Sequence, residues 1–317
     1  MNLRDLEYLI AVADEGSFRG AARRVDVSQP TLSAQIKKLE AQLGAQLLDR
    51  SGSPIRLTEV GEEVVRRARN LLRDAEQLRI AVATHRSTTS GTVRLGIFPT
   101  LAPYLLQHAL AAMRVEFPDV TLLVTERKTD KLLGMLDAGE LDAVLAAVPL
   151  GSSTPTGLSQ LPLFREEILL ALPAGHDLAV GPEPVESRLL AGADITLLAP
   201  GHCLNDQVEG WLDAVGAHGR DDYRASSIET LRAMIVAGSG LVTLLPALSV
   251  ADVPGSSGSS GAGADELVTR RLADPVPTRD IALVWRSDSA LAPLLRRVAP
   301  ALVPEASDRV EVLLADR

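Results

Sequence analysis

The chain has 317 residues, a formal charge of -9, 46% hydrophobic residues and one cysteine. Such a length exceeds one ordinary core and asks for two or three domains; the acidic balance excludes a protein that coats nucleic acid by bulk charge, and one cysteine excludes a disulfide-stapled secreted scaffold. No stretch approaches ~18 uncharged apolar residues and the first residues lack the apolar core of a signal peptide, so a cytoplasmic protein with no membrane partner is expected.

Charge is unevenly placed. Between residues 16 and 58, Arg19, Arg23, Arg24, Lys37, Lys38, Arg50 and Arg56 outnumber Asp26, Glu40 and Asp49, a basic island suited to phosphates. Leu6, Leu9, Ile10 and Val12 recur at helical spacing, and a second helix begins after Ser17 and carries Phe18, Ala21, Ala22 and Val25. Asp26-Val27-Ser28 reads as a tight turn, and Gln29-Pro30-Thr31 opens a third helix whose buried stripe is Leu32, Ile36, Leu39 and Leu43, ending at Gly44. These are the parts of a helix-turn-helix. In that motif the start of the second helix enters the major groove, so Ser28, Gln29, Pro30, Thr31, Ser33 and Gln35 form the expected face toward double-stranded DNA. A short hairpin around Gly52-Ser53-Pro54 reads as a wing on which Arg50 and Arg56 would grip the backbone or a minor groove.

A long charged helix is expected from Thr58-Glu59 to about Thr84, with Val60, Val64, Ala68, Leu71, Leu72, Ala75 and Leu78 along one face. One apolar stripe on so long a helix needs a partner, and a homodimer through this helix is the favoured reading. Ser87 to Gly91 then punctuates the chain as a linker. From Thr92 strands alternate with helices: 93–98, 120–124, 141–148, 167–172, 195–198, 241–245 and 281–285 read as strands, with helices such as 101–116 and 130–138 between them. This pattern predicts a mainly parallel α/β region made of two open sheets joined by crossing strands, with a ligand cleft between them. Pro254 to Asp265 is a low-complexity loop. The domain plan is therefore 1–58, a winged helix-turn-helix; 59–90, a linker helix and hinge; and 91–317, an α/β regulatory region with one half at about 91–164 plus 268–317 and the other at about 165–267.

Several strand ends run into helix starts: Thr100, Thr129, Gly201-His202-Cys203 and Ser226-Ser227. Helix N-termini offer unpaired N–H groups and positive potential to a carboxylate, hydroperoxide or thiolate, although any single Ser or Thr there is as well explained by capping. Cys203 sits at such an entrance, with His202 beside it as a hydrogen-bond donor and Val208, Trp211, Leu212 and Val215 as the buried stripe beyond. A helix N-terminus lowers a thiol pKa; burial raises it.

Taken together, Met1-Asn2-Leu3-Arg4-Asp5-Leu6-Glu7-Tyr8-Leu9, Val27-Ser28-Gln29-Pro30-Thr31-Leu32-Ser33, Pro99-Thr100, Pro103-Tyr104-Leu105-Leu106, Gly201-His202-Cys203-Leu204, Ser227-Ile228-Glu229-Thr230-Leu231-Arg232 and Gly238-Ser239-Gly240 resemble the LysR-type transcriptional regulators, and their OxyR-like peroxide-sensing branch in particular, over the full length. The resemblance implies a winged helix-turn-helix joined to a periplasmic-binding-protein-like domain of two Rossmann-like halves, in a homotetrameric activator that binds a promoter operator and engages RNA polymerase. It assigns redox sensing to Cys203 and contact with peroxide or another effector to Thr100, Thr129, His202, Ser227 and Arg279. In the branch a resolving cysteine lies nine residues beyond the reactive one, where this chain has Leu212, and Asn205 stands where the family often has an Arg. The resemblance therefore implies a one-cysteine variant.

Three function classes follow. The leading one is a regulator that activates oxidative-stress genes through oxidation of Cys203. The second is a LysR-type regulator of a small metabolite bound in the same cleft, with Cys203 silent. A thiol peroxidase is the third, and the missing resolving thiol and the helix-turn-helix speak against an enzyme. No cofactor or metal is expected.

Overall fold

The computed structural model describes residues 1–52, 54–86, 90–151, 154–237, 240–250 and 267–314. The low-complexity run 254–265, residues 87–89 of the expected linker and Gly238-Ser239 lie outside the described residues. The chain divides into two compact units, Met1–Arg86 and Ser87–Arg317.

In the first unit, α1 (Leu3–Glu15) starts with a reciprocal capping box, Asn2 accepting from the Asp5 N–H and Asp5 from the Asn2 N–H, and ends at Gly16, whose φ of 59° suits a residue without Cβ. Ser17 caps α2 (Phe18–Arg24), and Ser28 caps α3 (Gln29–Leu43) by accepting from the Thr31 N–H. Leu9, Val12, Ala21, Leu32, Ile36, Leu39 and Leu47 close the core between these helices. Strands β1 (Leu48–Asp49) and β2 (Arg56–Leu57) pair antiparallel as the wing. Helix α4 (Glu59–Arg86) then begins one residue after Thr58, whose hydroxyl accepts from the Gly61 N–H. Its first turns bury Val65 and Ala68, while Arg69 pairs with Asp14 of α1. Farther along, Leu71, Leu78 and Val82 stay exposed at 48, 72 and 63%.

The second unit runs β3 (Gly91–Ile97), α5 (Ala102–Glu116), β4 (Val120–Glu126), α6 (Thr129–Asp137), β5 (Ala143–Val148), β6 (Leu158–Pro173), β7 (Ile195–Leu198), α7 (Cys203–Val215), β8 (Gly219–Ala225), α8 (Ile228–Val236), β9 (Thr243–Pro246), α9 (Ala247–Val250), β10 (Leu267–Arg270), β11 (Thr278–Arg286), α10 (Ala292–Val298) and β12 (Val310–Val312). β3 lies parallel between β4 and β5, and β7 pairs parallel with β8. The expectation of a mainly parallel sheet needs correction. β11 runs antiparallel to both β5 and β6, and β9, β10 and β12 are all antiparallel to β6. The reason is the pair β6 and β11, which cross between the halves and so reverse direction relative to the βα units that precede them. The 16-residue β6 pairs with β11 along its first part and with β9 and β10 along its last. The expected boundary at 164/165 falls inside it.

One core packs around Ile97, Phe98, Leu101, Leu132, Leu145, Leu283 and Trp285, all essentially without exposure. A second packs Ile168, Leu170, Leu198, Leu204, Val208, Leu212, Ile228 and Leu244. The second cluster holds α7 by the stripe on which Leu212 lies, so the entrance of that helix is a fixed place in the fold.

Candidate functional site

On the first unit, the exposed start of α3 carries Ser28, Gln29, Pro30 and Thr31, with Ser33 and Gln35 half-buried behind them. The Ser28 hydroxyl caps α3 and lies 2.7 Å from that of Thr31, so it shapes the helix entrance, and the free polar ends are those of Gln29 and Gln35. Lys37 and Lys38 are exposed one to two turns on. Arg56 is exposed on the wing, whereas Arg50 donates to Glu40 at 2.7 Å and lies over the Phe18 ring at 5.4 Å. Arg50 thus stiffens the wing before it meets anything else.

In the second unit, Cys203 is the first residue of α7 and is half-buried. Arg279, which the resemblance assigns to the effector site, is 1% exposed and pairs with Glu166 of β6 inside the protein. Its Nε donates to Glu166 Oε1 at 2.7 Å, Nη1 to Thr100 Oγ1 at 3.0 Å and Nη2 to the Thr100 carbonyl at 3.0 Å, and its guanidinium lies 5.4 Å from the Phe98 ring centre. Thr100 is therefore not the cap of α5, whose capping position is Leu101. Thr129 opens α6, and its Oγ1 is buried without a complete hydrogen bond, although it lies close enough to the thiol to favour a thiolate.

Of the two opposing effects on the thiol, burial prevails. Burial pushes Cys203 above its ordinary value; the charge of Arg279, Thr129 and the Leu204 N–H pull it down, and Asp206 adds to the rise. His202 occupies the capping position of α7 but makes no capping bond. Burial and the nearby Lys128 lower its pKa below the ordinary 6.5, so it is a neutral imidazole at neutral pH. A histidine that resists protonation when folded takes up more protons unfolded, so stability falls as pH drops through 6.5. The unfolding midpoint of the second unit should fall more steeply on acidification in the parent protein than in His202→Gln, and equal slopes would remove His202 as the cause.

Ser227 stands at the capping position of α8. It accepts from the Thr230 N–H there, and its neighbour Glu229 accepts from the Tyr104 hydroxyl of α5 at 2.7 Å. Asn205 is buried and donates to Glu209 of its own helix.

Three residues escaped sequence reasoning. Glu166 is fully buried; it lies just before the strand expected at 167–172, because the observed β6 starts earlier, at Leu158. Gln207 lies one turn beyond Cys203, on the same helix face, and its Oε1 is buried without a partner. Lys128 donates to the Pro200 carbonyl at 2.8 Å, in the loop that leads to Cys203. The Thr129 hydroxyl and the buried Arg279 guanidinium thus both act on the thiol, and Gln207 leaves a buried oxygen without a partner one helical turn on. Among the described residues no group of His, Cys, Asp and Glu could hold a metal, and no helix is long and apolar enough to cross a membrane.

The family description "Bacterial regulatory helix-turn-helix protein, lysR family" matches residues 3–62, and "LysR substrate binding domain" matches residues 86–306. The chain belongs to the LysR family. Among LysR-family relatives, the DNA-binding transcriptional dual regulator OxyR of Escherichia coli K12 is 40% identical over 302 residues, covering 95% of each chain. A hydrogen peroxide-inducible genes activator of Pectobacterium carotovorum is 40% identical over 291 residues, 92% of each. Among solved structures, full-length OxyR of Pseudomonas aeruginosa carrying a cysteine-to-aspartate substitution superposes with a TM-score of 0.74 at 32% identity, over 95% of this chain and 94% of that one. A cysteine-to-serine mutant of Corynebacterium glutamicum OxyR, H2O2-bound, gives 0.62 at 30% identity, over 95 and 91%. This LysR-family chain is OxyR-like from its helix-turn-helix to its thiol-bearing half.

Proposed function

We propose that this LysR-family regulator senses hydrogen peroxide through Cys203 and activates transcription from promoter operators without forming an intramolecular disulfide. The observation that carries the reading is the setting of the thiol: the Thr129 hydroxyl close to it, neutral His202 beside it in the chain, and Arg279, whose charge reaches it, held against Thr100. A peroxide, which both donates and accepts hydrogen bonds, suits those groups. The Cys203 thiolate attacks one peroxide oxygen, the O–O bond breaks, sulfur is oxidised to the sulfenic acid, and the departing hydroxide takes a proton to leave as water. The bound peroxide in the Corynebacterium mutant supports the same class of ligand. With one cysteine in the chain, oxidation ends at the sulfenic acid, a mixed disulfide or a bond between chains.

The switch is then small. Leu212 anchors α7 in the core, and a sulfenic acid with new hydrogen bonds repacks the 199–212 segment while the helix persists. The α3 face of Gln29, Thr31, Ser33 and Gln35, opened by Ser28 and Pro30, reads double-stranded DNA, and Arg50 and Arg56 support it on the wing. Leu71, Leu78 and Val82, exposed at heptad spacing on α4, make the homodimer contact, and two dimers form the homotetramer that meets RNA polymerase. The protein works in the cytoplasm and is not an enzyme. The domain plan of 1–58, 59–90 and 91–317, with the second unit's two halves near 91–164 plus 268–317 and 165–267, goes with this reading.

One observation favours a metabolite effector instead: the resting thiol is harder to ionise than an ordinary cysteine. Cys203→Ser decides between them. On the peroxide reading the variant loses induction, and parent protein treated with peroxide gains the mass of one oxygen at Cys203. Unchanged induction in the variant would sink it.

A further inference from the structure

We propose, resting on Cys203 as the oxidised residue, that Glu166 is the positioning residue of the site: it fixes the Arg279 fork against Thr100 and sets how much positive charge Cys203 feels. Both side chains of the Glu166–Arg279 pair have 0% exposure. Glu166 spends each oxygen on a different element. Oε1 accepts from Arg279 Nε of β11, and Oε2 accepts from the Leu248 N–H in the first turn of α9 at 3.0 Å. A carboxylate held at both ends cannot rotate, and it grips the guanidinium by the one nitrogen that points away from Thr100. That leaves Nη1 and Nη2 to the Thr100 hydroxyl and carbonyl. Without an acceptor at Nε, an arginine on a flexible stem has no reason to keep this orientation.

Glu166 also determines the field. An unpaired buried guanidinium would draw a neighbouring thiol strongly toward thiolate. Here the cation arrives with its counter-charge from Glu166; it still pulls the thiol down, but burial outweighs it and holds the thiol above its ordinary value. The other groups that bear on the site are His202 and Asp206 on the thiol's own helix, Thr129 and Asp130 of α6, and Lys128 before α6, with Tyr104 of α5 facing Arg279. Glu166 is the member of this set bonded directly to Arg279, so it is the one whose charge can be removed with a clear sign.

The test titrates Cys203 by its rate of alkylation with iodoacetamide across pH in the full chain, a readout independent of peroxide. Glu166→Gln removes the charge with little change of shape, and the titration midpoint should fall by about one pH unit. Glu166→Asp shortens the side chain and disturbs the packing but keeps the charge, and its midpoint should stay within about 0.3 of the parent. Peroxide oxidation at neutral pH should be slowed in Glu166→Asp, whose shorter reach loosens the fork. Midpoints that do not move in Glu166→Gln, or that move alike in both variants, overturn the inference. If the midpoints separate while peroxide leaves the parent Cys203 unmodified, the inference stands and the peroxide reading fails.

Discussion

Replacing Arg279 by Met should destabilise the second unit by about 3–5 kcal/mol, because it strands the Glu166 carboxylate in the core without its counter-ion. The pair is fully buried, and Arg279 also donates to both the Thr100 hydroxyl and the Thr100 carbonyl. Glu166→Leu together with Arg279→Met should recover at least half of that loss, since no charge is then left alone in apolar surroundings. Peroxide oxidation of Cys203 should not recover with it, because the cation that favours the thiolate is still gone. Denaturant unfolding of the second unit, read beside the oxidation rate, separates the two effects. A double variant as unstable as the single one would mean that packing around Arg279, rather than charge pairing, holds this part of the fold.

That buried pair also shows where sequence reasoning stops. The positions of Thr100, Thr129 and Cys203 at helix entrances were legible, since each stands where a strand pattern gives way to a helical one. The helix-turn-helix was legible nearly to the residue, because its caps Ser17 and Ser28 and its stop Gly44 are local signals. Arg279 and Glu166 are 113 residues apart, and no local pattern tells a strand arginine that its partner lies on a crossing strand. The antiparallel course of β6 and β11 was missed for the same reason. β8, which pairs parallel with β7, was missed for another: its sequence Gly-Arg-Asp-Asp-Tyr-Arg-Ala is polar and offers little of the apolar periodicity on which strand recognition rests. The sign of the Cys203 shift depended on burial, which a helix-entrance argument does not contain.

A second large effect is expected at Gly61, in the first turn of α4. Glycine inside a helix ordinarily costs roughly 0.5–1 kcal/mol relative to alanine, so Gly61→Ala would be chosen as a stabilising change on sequence grounds alone. The structure reverses the sign. A Cβ at Gly61 would lie 2.0 Å from the Leu47 carbonyl oxygen and 2.9 Å from its carbon. That carbonyl is backbone, and it already accepts from the Thr58 N–H at 3.0 Å, so it cannot move aside without opening the joint between the wing and α4. Leu47 is fully buried in the core of the first unit. Gly61→Ala should therefore cost that unit about 3 kcal/mol or more, a large share of the ordinary stability of a small domain. Gly210→Ala is the matched control: it sits inside α7 with nothing within 4 Å of its added Cβ, and should gain what the propensity scale promises. Hydrogen exchange should show residues 3–57 losing protection in Gly61→Ala while the second unit keeps its own and Cys203 still oxidises. Unchanged protection in the first unit would mean that the wing can retreat from α4 at little cost, and that the close approach is not what holds them together.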